Sequence, residues 1–212
     1  MILLAGEIVF PGEVTRWQGE NGLRIWVDGW HRPDERAEVI ARYKIQILLG
    51  LLRAWRADAG KLKQERWGGL GQGSRRDSAG NQWVPVGPAV AYLAGHDELI
   101  RLAEAVASAI GKRESLCNAL WLNGRADRTA ADYYMVHEYA ETEFGGKKRV
   151  RDRLDISVND QNRLTRSANK LSPLEGGRHA RHGAAPWSLD ECREFIAQLL
   201  RQWIQHYGPN HG

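Results

Sequence analysis

Before residue 30 apolar and polar residues alternate, and after residue 33 apolar residues recur every three or four positions. Alternation is the period of a strand with one covered face, and the longer spacing is that of a helix. The first stretch predicts three strands, Ile2 to Phe10, Val14 to Gln18 and Leu23 to Asp28, with Pro11-Gly12 and Glu20-Asn21-Gly22 as turns. Asn-Gly between β-favouring runs is a hairpin signal, because both residues tolerate positive φ.

The second stretch predicts helices. Pro33, Asp34 and Glu35 suit the first turn of a long one over about 33–58. Its apolar stripe is Val39, Ile40, Tyr43, Ile47, Leu51, Ala54 and Trp55. Residues 59–81 read as a mobile linker. Their Gly68-Gly69-Leu70-Gly71-Gln72-Gly73-Ser74 run lacks the Gly-Lys-Ser/Thr ending of a phosphate loop. Gln82 to Val86 reads as a short strand. Asp97 caps a helix to Ile110, stopped by Gly111, and a short one follows over about 114–122. Thr129 opens a helix to Phe144, which Gly145-Gly146 ends. A basic helix spans about 148–154, and Ser157 opens another to about Asn169. The last helix, Leu189 to Tyr207, follows Ser188-Leu189-Asp190-Glu191, a capping box. Its stripe is Leu189, Cys192, Ile196, Leu199, Trp203 and Tyr207. The fold class these elements predict is α+β, a mainly helical bundle with a small N-terminal antiparallel β-sheet. Two regions are expected: 1–110, a sheet plus long helix that senses or binds a partner, and 111–212, a helical region.

Composition narrows the class. No apolar run approaches the ~18 residues of a membrane span, and the N-terminus lacks the basic start of a secretory signal. Two cysteines, Cys117 and Cys192, make no disulfide framework; both fall in helical patterns and read as small buried residues of a cytoplasmic protein. The formal charge of +4 is mildly basic, compatible with nucleic acid and insufficient to demand it. Nine tryptophans suit core or interface anchors.

Three constellations bear on chemistry. Lys147, Lys148, Arg149, Arg151 and Arg153 surround a single acid, Asp152. Their summed field suits phosphate, and the plainer reading is a solvated face. Next, 149–169 reads as helix, turn, helix, held at an angle by Val150, Leu154, Ile156 and Leu164. The second helix would present Asn159, Gln161, Asn162, Arg163 and Arg166, residue types that read base edges in a major groove. Finally, Arg178, His179, Arg181 and His182 crowd the loop before the last helix. Arginine offers phosphate a fixed fork, and histidine moves protons near neutrality. Together they suit RNA cleavage without a metal: one group takes the 2′-hydroxyl proton and another steadies the phosphorane. The plainer reading is a loop whose Arg and His cap helix ends. A His179/His182 metal pair has no good third ligand nearby, so no metal or cofactor is expected.

The stretch Thr129 to Tyr207 resembles the HEPN-like helical domains of prokaryotic defence-associated proteins. The resemblance rests on Tyr139-Ala140-Glu141, Ile156-Ser157, Ser167-Ala168-Asn169, Arg178-His179-Ala180 and the Ser188-to-Trp203 helix. It implies an RNA-associated protein of a bacterial defence or toxin type, with RNA favoured over DNA, and a homodimer or a protein partner. If the protein is an enzyme, the resemblance implies a metal-independent endoribonuclease using Arg178, His179 and His182, with Arg178 holding the phosphate. Such nucleases place four to six residues between Arg and His; here Arg178 and His182 have three between them, and no Arg-Asn pair precedes either histidine. Many HEPN-like domains only bind RNA or partners. The other readings are a helix-turn-helix DNA-binding module centred on Arg163 and Arg166, and a non-catalytic scaffold subunit.

Overall fold

The computed structural model describes residues 2–10, 14–19, 22–27, 35–56, 96–171 and 184–208. These residues form eight helices, α1 (Ile2–Val9), α2 (Glu35–Trp55), α3 (His96–Ala109), α4 (Glu114–Gly124), α5 (Ala130–Phe144), α6 (Lys147–Leu154), α7 (Val158–Lys170) and α8 (Leu189–His206). The expected α+β class is therefore corrected: the described chain is mainly helical and builds no three-stranded sheet. The error lies in Ile2 to Phe10. A short, mostly apolar segment, interrupted here by Glu7, fits strand and helix equally well. Here Ala5 and Val9, one helical turn apart, are both buried, and α1 rests on α3. Strand pairing is confined to β1 (Val14–Gly19) and β2 (Gly22–Val27), an antiparallel ribbon with Val14 opposite Val27. A two-stranded ribbon is no layer of a core. The linker 59–81 and the strand at Gln82 to Val86 lie outside the described residues.

The closest seam joins α2 to α4. Gly50 faces the Leu120 carbonyl, and Gly124, at the end of α4, faces the Gln46 carbonyl. One glycine on each helix, a turn apart, lets two backbones touch where a side chain would hold them off. Asn123 crosses the seam, donating from Nδ2 to the Gly50 carbonyl at 3.1 Å. Ile47, Leu48, Leu51, Leu116 and Leu120 fill the space beside it and are essentially solvent-free. On the α2 stripe, Ile47, Leu51, Ala54 and Trp55 are buried as expected, whereas Val39 is 65% exposed and Arg53 is inside.

Helix α8 runs against α2, α3 and α5, with Cys192, Ile196, Leu199 and Trp203 buried. Ser188 caps it: its Oγ accepts from the Glu191 amide at 3.2 Å, and Glu191 Oε2 accepts from the Ser188 amide at 2.7 Å. Thr129 and Asp132 make the same reciprocal pair at the start of α5. Both cysteines are free and buried. No helix among the described residues is long and apolar enough to cross a membrane.

Candidate nucleic-acid interface

The chain leaves α5 through Gly145 and Gly146, whose φ values of 79° and 115° are costly for any residue with a Cβ. It then turns into α6. Val150 and Leu154, one turn apart, are the buried points of this helix. They pin one face on α5 and α8 and leave most of the helix's cations on the outer side. Lys147, Lys148, Arg149 and Arg153 are exposed, and Arg151 is half-buried. Asp155, at φ 47°, ends the helix in the left-handed region.

Ser157 caps α7, accepting from the Asp160 amide at 3.0 Å. The exposed face of α7 carries Asn159, Asn162, Arg163 and Arg166, spaced as one stripe. None of Lys147, Lys148, Arg149, Arg153, Arg163 and Arg166 comes within ion-pairing distance of a carboxylate among the described residues. The expected face needs two corrections. Gln161 is not presented to solvent but is 2% exposed. The two helices also pack on α5 and α8 rather than chiefly on each other. With so few apolar residues in α7, periodicity alone does not reveal which polar residue turns inward.

Gln161 turns inward to join a buried polar chain. Arg151 Nη1 donates to Gln161 Oε1 at 2.7 Å, and Gln161 Nε2 lies 2.7 Å from His137 Nε2. Arginine has no acceptor, so the amide oxygen must face it and the amide N–H must face the imidazole. His137 Nε2 therefore accepts, and the ring proton sits on Nδ1. That atom is 2.8 Å from Glu141 Oε1, close but off the line of a good hydrogen bond. The contact looks like an ion pair, yet burial, with Lys147 nearby, pulls the His137 pKa down to about 4. Burial also raises the Glu141 carboxyl. We take His137 as neutral, because its ring is fully buried and the tautomer is already fixed by Gln161. This chain ties α5, α6 and α7 together behind the basic surface. Sequence reasoning missed it, although a histidine at an apolar position with a glutamate four residues on is its signal.

At the other end of α6, Asp152, Arg153 and Asp155 line an open groove of about 420 Å³ with Gln205 and His206 of α8. Its two carboxylates offset the arginine, so it extends the basic surface little. Near the Arg/His loop, Leu171 follows α7 and Trp187 precedes α8, where the Trp187 amide donates to the buried Ser167 Oγ at 2.9 Å. Arg178, His179 and His182 lie outside the described residues. Among the described residues, no group of His, Cys, Asp and Glu is arranged to hold a metal ion. The chain matches no family model, no curated protein and no solved structure.

Proposed function

We propose that this is a HEPN-like, RNA-associated protein that carries the RNA backbone on the α6–α7 surface. The observation that carries this reading is the set of six exposed cations on two short helices, none of them within ion-pairing distance of a carboxylate among the described residues, backed by the Arg151–Gln161–His137 chain. Cations without an internal partner are the ones whose counterions a phosphate backbone displaces, which makes association strong at low salt. The choice of RNA over DNA rests on the resemblance of 129–207 to HEPN-like domains. In the same reading Arg178, His179 and His182 supply metal-independent cleavage, and a second copy of the chain completes the unit.

The test is binding of labelled single-stranded RNA and of duplex DNA by the purified protein, with cleavage followed in parallel. RNA binding that falls when Lys148, Arg149, Arg163 and Arg166 are all changed to Gln supports the surface. Cutting that survives both His179→Ala and His182→Ala removes the nuclease assignment. A second reading keeps one specific support: Asn159, Asn162, Arg163 and Arg166 share one exposed face of α7, as on a major-groove helix. Tighter binding to duplex DNA than to RNA, lost in Arg163→Ala, would favour it.

A further inference from the structure

Three arginines lie near the start of α5, around Tyr133, one turn before the His137 of the basic surface's polar chain. Arg53 of α2 is 2% exposed. Among the described residues its Nη1 donates to main-chain carbonyls, those of Asn123 at 2.9 Å and Arg125 at 2.5 Å. Arg128, in the turn before α5, donates from Nη1 to Asn123 Oδ1 at 2.9 Å and lies 5.6 Å from the centre of the Tyr133 ring. Asn123 therefore holds two guanidiniums beside each other through neutral oxygens. Arg193 of α8 is the third, 3.1 Å from Asp190, a carboxylate that is itself 74% exposed. The Nε atoms of Arg53, Arg128 and Arg193 are all buried and all without a partner.

Buried cations are ordinarily matched by buried carboxylates. The buried carboxylate whose field reaches Arg128 is Asp132, and its hydrogen bonds go to the Thr129 amide, the Thr129 hydroxyl and Arg125. The cluster repels itself: after burial, Arg128 and Arg193 contribute to pulling the Arg53 pKa down to about 10, against the pull of Tyr133. Tyr133 stands in the field of all three arginines. The Thr129 capping box already fills the first turn of α5, so the helix end is not the attractive element.

We propose that Arg53, Arg128 and Arg193, with the Tyr133 hydroxyl, form a recessed binding site for a dianionic phosphate group. The group is either inorganic phosphate or the end of a small phosphomonoester. Unpaired N–H donors of three guanidiniums, carried by α2, by the turn before α5 and by α8, suit a tetrahedral oxyanion better than a planar carboxylate, which one fork satisfies. Arg53 forms the floor. Arg128 and Arg193, both partly exposed, form the mouth. This site is separate from the α6–α7 surface and does not depend on the RNA reading.

The test uses the full chain, with inorganic phosphate or a nucleoside monophosphate titrated at constant ionic strength against a chloride control. Calorimetry and thermal unfolding are the readouts. Arg53 is left intact, because it also ties α2 to the end of α4. The expected result is saturable binding with a rising Tm, weakened about 10- to 100-fold in Arg193→Gln and in Arg128→Gln, the loss of one charge-assisted contact. Arg193→Gln without phosphate should be no less stable than the parent, because a mutual repulsion is gone; a purely structural arginine would predict the reverse. Tighter binding of the monophosphate than of phosphate assigns the phosphomonoester, and equal binding assigns phosphate itself. No saturable response to either probe, or an undiminished response in both variants, overturns the proposal.

Discussion

Replacing Gly50 with alanine adds one methyl group to the middle of α2. Built on this backbone, that carbon lies 1.9 Å from the Leu120 carbonyl oxygen and 2.6 Å from its carbon. Ordinary C···O contact begins above ~3.2 Å, so the helices must part by more than an ångström. The obstacle is main chain, and no rotamer change relieves it. Overpacking costs about 1–3 kcal/mol where side chains can adjust, and this case belongs at or above the upper end. Parting the seam also weakens dispersion between Leu48, Leu51, Leu116 and Leu120, since a gap of ~1 Å forfeits up to half of each contact. Against this, alanine in place of glycine favours the helix by ~1 kcal/mol. The balance is a loss of about 2–4 kcal/mol. Urea unfolding followed by circular dichroism reads it as a lower midpoint with an unchanged slope. Gly124→Ala meets the Gln46 carbonyl at the same 1.9 Å. Once either methyl has parted the helices the other has room, so the double variant should lose less than the sum of the singles. A midpoint for Gly50→Ala equal to or above that of the parent, the behaviour of an exposed helical glycine, would refute the close seam.

Other consequences are checked in the same way. The His137 pKa is lowered to about 4 in the fold from an unfolded value near ~6.5. The unfolded chain thus takes up a proton first as pH falls, and stability is lost between those two values, by about 3 kcal/mol. The raised Glu141 carboxyl opposes part of this, so the informative quantity is the flatter pH profile of His137→Gln relative to the parent. Ser167→Ala leaves the buried Trp187 amide without its acceptor. It should cost about 1–3 kcal/mol and speed exchange of that amide. Thr129→Ala removes one half of the α5 capping box and should cost about 1 kcal/mol of unfolding free energy.

The fold was most legible where local chemistry is unambiguous. Ser188 with Glu191, and Thr129 before α5, announce their helix starts, and Gly145 announces an end, because caps are decided by a few neighbouring atoms. Ile2 to Phe10 was illegible for the opposite reason: a short apolar run is covered on several sides in either conformation, and only its contact with α3 decides. Polar residues in the interior were the harder case. Arg53 sits on a helix whose neighbours are apolar and reads as an interruption; what brings it inside is the carbonyls of Asn123 and Arg125, some 70 residues away. Gln161 reads as a surface residue because α7 has little apolar stripe against which to orient it. The exposure of Lys147, Lys148, Arg149 and Arg153 on α6 was legible, since Val150 and Leu154 take the inward face, whereas Arg151, which turns in to Gln161, was not told apart from them.

The account rests on those cations meeting a phosphate backbone, and the salt dependence of RNA binding measures this most directly. For single-stranded RNA, log K falls against log salt concentration with a slope of about −0.7 per phosphate neutralised. Changing Lys148, Arg149, Arg163 and Arg166 together to Gln should therefore weaken binding at low salt and flatten the slope by about 2–3. A slope identical to that of the parent, or no affinity for RNA in the parent at low salt, would contradict it.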